Sequence, residues 1–586
     1  MTVKLRVPYL VQDPRLGADL EERTFQEDFC LDGPVTRRLA VLQFDDATGA
    51  LRPGVRFVAP TGRHRTGRFA LPGRVDPTGD DFLAVNAFAV VRETLEMYQE
   101  PDALGREVEW AFGAPQLLVL PRAGEWANAF YQRESHSLQF FHFPARSVDP
   151  GGPRTVFTAL SQDILAHEAA HAILDGIAPD LYHCLTPQAL ALHEAVADLT
   201  ALLVAVRSRK LRTRLLRLTG GEVAGQQAFT QLAEQFGFER DRTGRSRHLR
   251  SLWNERNLDP SDESLDELHR RNQATRGEPH LLSEVLSGAL YRVFARLHDE
   301  YRAERAAEEG ISEHSASGFA LFVASQHFKR LVLRSLDYLP PGEVSFADYG
   351  RAILASDQAS YPVQSTGRDA LVEEFVRRHV VAGAAELEVR TGFEAPELAG
   401  VDLETLVASD WVAYDFVERH RELFGVPDGA RFRVRPRRVA TKRYYVRRDG
   451  RQGGLADVKE LLFKVSWDCT EPNPRDLPLA RLRQITVGST LAVDWKTRRV
   501  RALLIADAAR SPASSPAAAR LVEDRDLMLR RLVAEERLRF GPDSGDDLGD
   551  AVRVETSDDL MRVRGAGRML HLADQWSDDE EEGADG

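Results

Sequence analysis

Two histidines in the pentapeptide HEAAH have the spacing that sets two metal ligands side by side. His167 and His171 lie four residues apart, so on a helix both imidazoles project from one face and can bind a single ion. Glu168, between them, can take a proton from a water molecule on that ion. Zinc lowers the pKa of such a water to about 7, which makes it a nucleophile able to attack a peptide carbonyl. The alternative interpretation is an alanine-rich helix with two buried histidines.

A second segment offers the third protein ligand that this site needs. The hexapeptide HEAVAD, residues 193–198, lies in a stretch whose apolar residues recur at helical spacing. Glu194 can complete a His-His-Glu set. Asp198, one turn later on the same face, can accept the second ring N–H of a metal-bound histidine. The alternative for both carboxylates is a solvated acidic face, but the segment around them is apolar, which is unusual for such a face.

At these residues the sequence resembles the thermolysin family of zinc endopeptidases, in which a glutamate downstream of HExxH is the third zinc ligand. Further matches follow in the family's order over a little under half of the chain. Tyr182 and His280 match the two residues that stabilise the transition-state oxyanion. Arg250, Asn128 and Ala129 match residues that bind the substrate backbone. The resemblance therefore extends to most of the family's catalytic machinery.

The resemblance implies a metalloendopeptidase that hydrolyses internal peptide bonds. One catalytic Zn²⁺ would be held by His167, His171 and Glu194, and Glu168 would act as general base. Its substrate would be a peptide or a protein.

Calcium binding and cleavage preference stay open at this stage. Asp163 matches an acidic calcium ligand of the family, but Ala205 stands where the family has a calcium-binding glutamate. By the same analogy Ile164 and Leu249 would line the pocket for the residue after the cut, favouring a bulky apolar side chain there. Both residues could equally belong to the core.

The predicted fold class is α+β. The resemblance implies a two-lobed catalytic domain, with a β-rich N-terminal lobe and a helical C-terminal lobe. A β-rich accessory domain is predicted after it from turn signals and short β-like runs. The predicted divisions are a β-rich N-terminal part at 1–80, the zinc peptidase domain at 81–390, the accessory domain at 394–506, a linker at 507–520, a charged helical segment at 521–576 and an acidic disordered tail at 577–586.

Composition restricts the class of protein. The 586 residues are 43% hydrophobic and carry a net charge of −13, which is enough for several cores. No run reaches the length of a transmembrane helix, and Pro8 and Pro14 interrupt the region where a signal peptide would be apolar. Three widely spaced cysteines do not suggest a disulfide framework. We therefore expect a cytoplasmic protein without a membrane partner, and leave non-classical export open.

Residues 431–451 are densely basic with interleaved aromatic residues, which would suit nucleic acid or an acidic protein partner. A solvated basic face on a hairpin is favoured, because the chain is acidic overall and contains no nucleic-acid-binding motif. Nucleic acid is therefore not an expected partner. A protein partner of the C-terminal domain is left open.

Two alternatives to a general endopeptidase remain. The chain could be a processing protease that activates one partner protein, or an inactive zinc-bearing binding or scaffold protein. Intact Glu168, Tyr182 and His280 favour an active enzyme over a scaffold. The substrate, the restraint on activity and the oligomeric state are beyond the sequence.

Overall fold

The structure is a computed structural model, and it combines α-helices and β-strands with a β-rich C-terminal region, as predicted. It describes residues 2–11, 19–45, 48–61, 65–73, 75–145, 155–225, 231–232, 250–258, 279–360, 365–448, 451–540 and 552–571.

Short strands surround one long helix in the first 157 residues. The strands are β1 Val3–Leu10, β2 Leu20–Glu27, β3 Leu39–Val41, β4 Phe57–Val58, β5 Arg68–Phe69, β6 Leu117–Leu120, β7 Ala129–Gln132, β8 Ser137–Phe140, β9 His142–Pro144 and β10 Thr155–Phe157, and the helix is α1 Asp80–Gln99. Strands β3, β6, β8 and β7 form one sheet in that spatial order, which leaves β7 at its edge. Of the strands in the predicted N-terminal part at 1–80, β3 joins this sheet by pairing with β6, while β1 with β2 and β4 with β5 form two-stranded sheets of their own.

Helix α1 is buried over most of its surface because its sequence is apolar on nearly every face. Its one central amide, Asn86, holds two neighbouring segments. Asn86 Oδ1 accepts from the Leu10 backbone N–H at 2.8 Å, and Asn86 Nδ2 donates to the Ala159 carbonyl at 2.9 Å. One continuous apolar core then extends from Leu5 to Leu387.

The middle of the chain is mainly helical. Its elements are α2 Gln162–Ile177, α3 Pro187–Ala205, α4 Arg209–Leu218, β11 Gln231–Leu232, β12 Arg250–Ser251, α5 Pro279–Glu309, α6 Glu313–Arg334, α7 Phe346–Ser360 and α8 Thr366–Arg377. The Ser161 hydroxyl caps α2 by accepting the Ile164 N–H, and Pro187 begins α3, where a missing N–H is harmless. Among the described residues, α3 is the helix long and apolar enough to cross a membrane, and all of it is buried inside the protein.

The C-terminal region adds a large sheet. Its elements are β13 Arg390–Phe393, α9 Leu403–Ala408, α10 Asp410–Arg419, α11 Arg421–Phe424, β14 Phe432–Val434, β15 Arg438–Arg448, β16 Arg451–Pro472, β17 Leu482–Asp494, β18 Val500–Ile505, α12 Pro516–Ala534, β19 Leu538–Phe540, β20 Val552–Ser557, β21 Leu560–Arg564 and a 3₁₀ helix, Ala566–His571. The order β13-β18-β17-β21-β20-β19 forms the sheet, β16 pairs with β17, and β14 and β15 pair with β16. Helices α9 to α11 were not expected in a β-rich domain.

Residues after 506 differ from the prediction. The predicted linker at 507–520 contains the start of α12, because the Ser515 hydroxyl accepts the Ala518 N–H and Pro516 takes the first helical position. The predicted charged helical segment at 521–576 is α-helical as far as Ala534. It then forms the strands β19, β20 and β21 of the large sheet. These strands alternate buried apolar residues with charged ones, and the charges masked that period. The predicted tail at 577–586 lies outside the described residues.

A buried group of charges joins the C-terminal sheet to the rest of the protein. Lys442 Nζ lies 2.8 Å from an Asp337 carboxylate oxygen and 2.7 Å from a Glu460 oxygen, and all three side chains are buried. Arg106 contacts Asp337 at 2.6 Å. Burial alone would raise the pKa of Asp337, but Arg106 and Lys442 outweigh it and hold that pKa well below its usual value. Buried ion pairs therefore hold the two regions together.

Replacing Lys442 with Met should destabilise the protein by about 3–5 kcal/mol, because it leaves the Asp337 and Glu460 carboxylates buried with less positive charge. Urea unfolding at pH 7 measures the change. Lys496→Met, at an exposed position of the same region, is the matched control and should change stability by less than about 0.5 kcal/mol. Equal stability of the two variants would contradict the role given to Lys442.

Candidate metal centre

Helix α2 carries a buried group that could hold a metal ion. Its members are His167, Glu168 and His171, and one ligand atom of each lies within 4.8 Å of the others. The spacing follows from the helix, which places residues 167 and 171 one above the other. His167 is the more exposed histidine, with 12% of its side chain accessible, while the His171 side chain is 2% exposed.

Glu194 from α3 completes the group. The Nε2 atoms of His167 and His171 lie 3.1 Å apart, and the Glu194 carboxylate lies 3.5 Å from the first and 3.2 Å from the second. Ligand atoms at 2.0–2.1 Å from a tetrahedral zinc ion are separated by about 3.3 Å. The three side chains thus have both the chemistry and the spacing of a zinc site. Glu194 is 1% exposed on an otherwise apolar helix, where an ionised carboxylate requires a partner.

The second ring nitrogens of both histidines also meet polar groups on α3. His167 Nδ1 lies 3.0 Å from Asp198 Oδ1, the contact that the sequence analysis expected for a metal-bound histidine. His171 Nδ1 lies 2.9 Å from His193 Nδ1. Such partners fix the ring orientation and leave Nε2 with its lone pair toward the ion. His193 was not among the predicted site residues, although it adjoins Glu194 in HEAVAD.

The edge strand β7 contacts Glu168 through its main chain. The Tyr131 backbone N–H donates to Glu168 Oε2 at 3.0 Å. Main-chain groups in a strand alternate in direction, so those of Ala129 point to the same open edge as those of Tyr131. Asn128 Oδ1 accepts from the Ala129 N–H at 2.8 Å, at the start of the strand. Of the predicted substrate residues, Ala129 is therefore the first residue of the strand that contacts Glu168, and Asn128 immediately precedes it.

His280 is brought to the metal ligands by the start of α5. Its Nε2 lies 3.8 Å from Glu194 Oε1, and 15% of its side chain is exposed.

Arg250 lies in β12, which pairs with β11, but its side chain and Leu249 are outside the described residues. Asp163 is buried in the first turn of α2, and Ala205 is the last residue of α3. Calcium binding stays a prediction.

The predicted oxyanion donor Tyr182 lies in a second cluster, with Arg133 and with Asp175 near the end of α2. It belongs to the 3₁₀ helix Pro179–His183, and the Arg133 guanidinium lies 4.2 Å above its ring. Arg133 Nε donates to Asp175 Oδ2 at 2.8 Å, and Tyr131 Oη donates to the same oxygen at 2.7 Å. Burial, with the charge of Glu134, raises the pKa of Tyr182 well above its usual value, so its hydroxyl keeps its proton.

Comparisons with known proteins find no family model that matches the chain and no curated protein that matches it.

Replacing Asp198 with Asn should weaken Zn²⁺ binding by about 10- to 100-fold, because the His167 ring loses its charged partner. Competition with a chromophoric chelator measures the affinity. Asp357→Asn is the control, since Asp357 is a buried aspartate near the end of α7, where its Oδ2 accepts from Arg368 Nη1 at 2.8 Å. Similar Zn²⁺ affinities for the two variants would contradict the role of Asp198.

Proposed function

We propose that the protein is a zinc-dependent endopeptidase that hydrolyses internal peptide bonds. The observation that carries this proposal is the convergence of two imidazole nitrogens and one carboxylate, from His167, His171 and Glu194, at the separations of zinc ligands. Two nitrogen donors with one carboxylate suit zinc better than the harder ions Mg²⁺ and Ca²⁺, which prefer oxygen. Bound there, zinc would lower the pKa of a water molecule and polarise a peptide carbonyl.

Glu168 is the general base of this proposal. Its carboxylate adjoins both histidines, and the Tyr131 N–H, which donates to Oε2 at 3.0 Å, fixes the orientation of the carboxylate. The same group can return the proton to the leaving amine, since it stays beside the reacting atoms. Its 6% exposure keeps bulk water from competing for that hydrogen bond.

Strand β7 is the proposed binding edge for substrate. A peptide that adds to this open edge binds through main-chain hydrogen bonds, which gives affinity with little dependence on sequence. The carbonyl oxygens of Ala129 and Tyr131 face the edge and would accept from such a peptide, since the N–H groups of these two residues already donate to Asn128 and Glu168. The scissile bond of such a peptide would pass close to the metal ligands.

The remaining assignments follow the family resemblance. His280, 3.8 Å from Glu194, is the proposed donor to the oxyanion, with Tyr182 as the second donor. We infer a two-lobed thermolysin-like arrangement for residues 81–390, with the β7 sheet and α5 to α8 on the two sides of α2 and α3. A narrowly specific processing protease is the second candidate, favoured by the near-complete burial of Tyr182.

Changing Glu168 to Gln should lower the rate of casein cleavage by about 10²- to 10⁴-fold, because the amide cannot take a proton. Zinc content, measured on the same samples, should stay at the wild-type value. Glu308→Gln, at an exposed position on α5, should cleave normally. If the zinc-loaded Glu168→Gln variant cleaved casein at the wild-type rate, the proposed reaction would be wrong.

Changing His280 to Ala should lower kcat by about 10²- to 10³-fold with little change in KM, because an oxyanion donor acts mainly in the transition state. Zinc content should again be unchanged. His314→Ala, which alters an exposed histidine on α6, is the control. A loss of zinc in His280→Ala would indicate a ligand role in place of an oxyanion role.

A further inference from the structure

The end of the described chain packs directly on Tyr182. We name residues 565–571, which are Gly565 and the 3₁₀ helix Ala566–His571, the C-terminal segment. A Cβ built at Gly567 would lie 2.5 Å from Tyr182 Cδ2 and 3.0 Å from its Cγ and Cε2. Only a glycine backbone can approach the ring this closely. As a result Tyr182 is 2% exposed, although an oxyanion donor must face the substrate.

Polar contacts hold the C-terminal segment on both sides of Gly567. The Gly565 N–H donates to His183 Nδ1 at 2.9 Å. On the other side Arg568 donates to Glu134 Oε1 from Nη2 at 2.7 Å and from Nε at 3.2 Å. Glu134 follows β7 in the turn to β8, so these contacts tie the segment to the end of the proposed substrate edge.

The C-terminal segment lies beside β7, the strand proposed to bind substrate. Its backbone lies against β7, α3 and the 3₁₀ helix Pro179–His183. Ala566 packs in an apolar cluster with Leu185 and Leu190, just beyond Tyr182 in the chain. The segment therefore covers the tyrosine and borders one end of the edge strand at once.

The hydrogen bond from the Gly565 N–H to His183 competes with a second donor on the same ring, Arg133. His183 faces two donors, the Gly565 N–H at Nδ1 and Arg133 Nη1 at 2.7 Å from Nε2. Burial, with the charges of Arg133 and Arg564, lowers the pKa of His183 to about 3, so the ring is neutral at physiological pH. A neutral imidazole has one acceptor nitrogen and one N–H, so both donors cannot be satisfied together. The segment is thus held less firmly than its contact distances suggest.

We propose that the C-terminal segment is an autoinhibitory cover, which holds the proposed endopeptidase at a low basal activity by packing Gly567 on Tyr182. The activity rises when residues 565–571 leave Tyr182 and the end of β7. This regulation rests on the proposed function.

Two substitutions displace the segment by different means. Gly567→Val drives a branched side chain into the Tyr182 ring, and Arg568→Glu replaces an attraction to Glu134 with repulsion. The matched controls are Gly383→Val, where an added Cβ meets nothing within 4 Å, and Arg520→Glu at an exposed position. The casein cleavage rate and nitration of Tyr182 by tetranitromethane, followed by mass spectrometry, are measured on full-length protein loaded with zinc.

Both displacing variants should cleave casein at least ten times faster than wild type and should nitrate Tyr182 at least ten times faster. Both controls should match wild type. Adding Glu168→Gln to Gly567→Val should remove the gained cleavage and leave the nitration high. Tyr98 and Tyr291, which are fully buried, report the fold by remaining unmodified.

The remaining outcomes separate the two proposals. Faster nitration with an unchanged, measurable casein rate overturns the autoinhibitory cover and leaves the endopeptidase in place. Faster nitration with no cleavage by wild type or either variant, all zinc-loaded, overturns the endopeptidase and the cover with it. Unchanged nitration in both displacing variants, with the fold intact, overturns the cover. If Gly567→Val exposes Tyr98 or Tyr291, Arg568→Glu alone decides.

Discussion

The packing of α2 on α3 brings three imidazoles and three carboxylates together within an apolar core, and the rest of the site depends on how their charges are matched. Asp198 lies on the outer nitrogen of His167, and Glu194 faces the inner nitrogens of His167 and His171. Ionised carboxylates are unfavourable in such surroundings unless a cation or donor accompanies them. A metal ion at the centre would supply the positive charge that Glu194 requires. The strand β7 and the start of α5 then bring Glu168's partner and His280 to a place already set by these two helices.

The local part of this arrangement could be predicted from sequence because it depends on helical spacing alone. Residues 167 and 171 share a face, as do residues 194 and 198, in any α-helix. The partner of His171 could not be found this way. His193 adjoins Glu194 in sequence, but its contact depends on the angle at which α3 crosses α2, which no local pattern reports.

The C-terminal region shows the same division between local and long-range information. The β-rich character of residues 394–506, which contain β14 to β18 of the large sheet, was predicted from short β-like runs. The Ser- and Pro-rich sequence before α12 was predicted to be a linker. Serine and proline are common both in linkers and at the first positions of helices, where Ser515 and Pro516 lie here. The contact of Gly567 with Tyr182 joins positions 385 residues apart. The residues next to Gly567 in the sequence do not indicate that it packs against an aromatic ring.

The helix that carries Glu194 is held at its beginning by the far end of the chain. Arg525 in α12 donates to Thr186 Oγ1 at 2.9 Å, and Gln188 donates to Asp524 at 3.2 Å. Glu194 follows Gln188 by six residues, about 9 Å along the helix axis. Glu194 is thus supported by residues that lie more than 300 positions further along the chain. A fragment ending near residue 390 would lose that support, so the folding unit that positions Glu194 includes α12 and cannot be shortened to the residues before the C-terminal sheet.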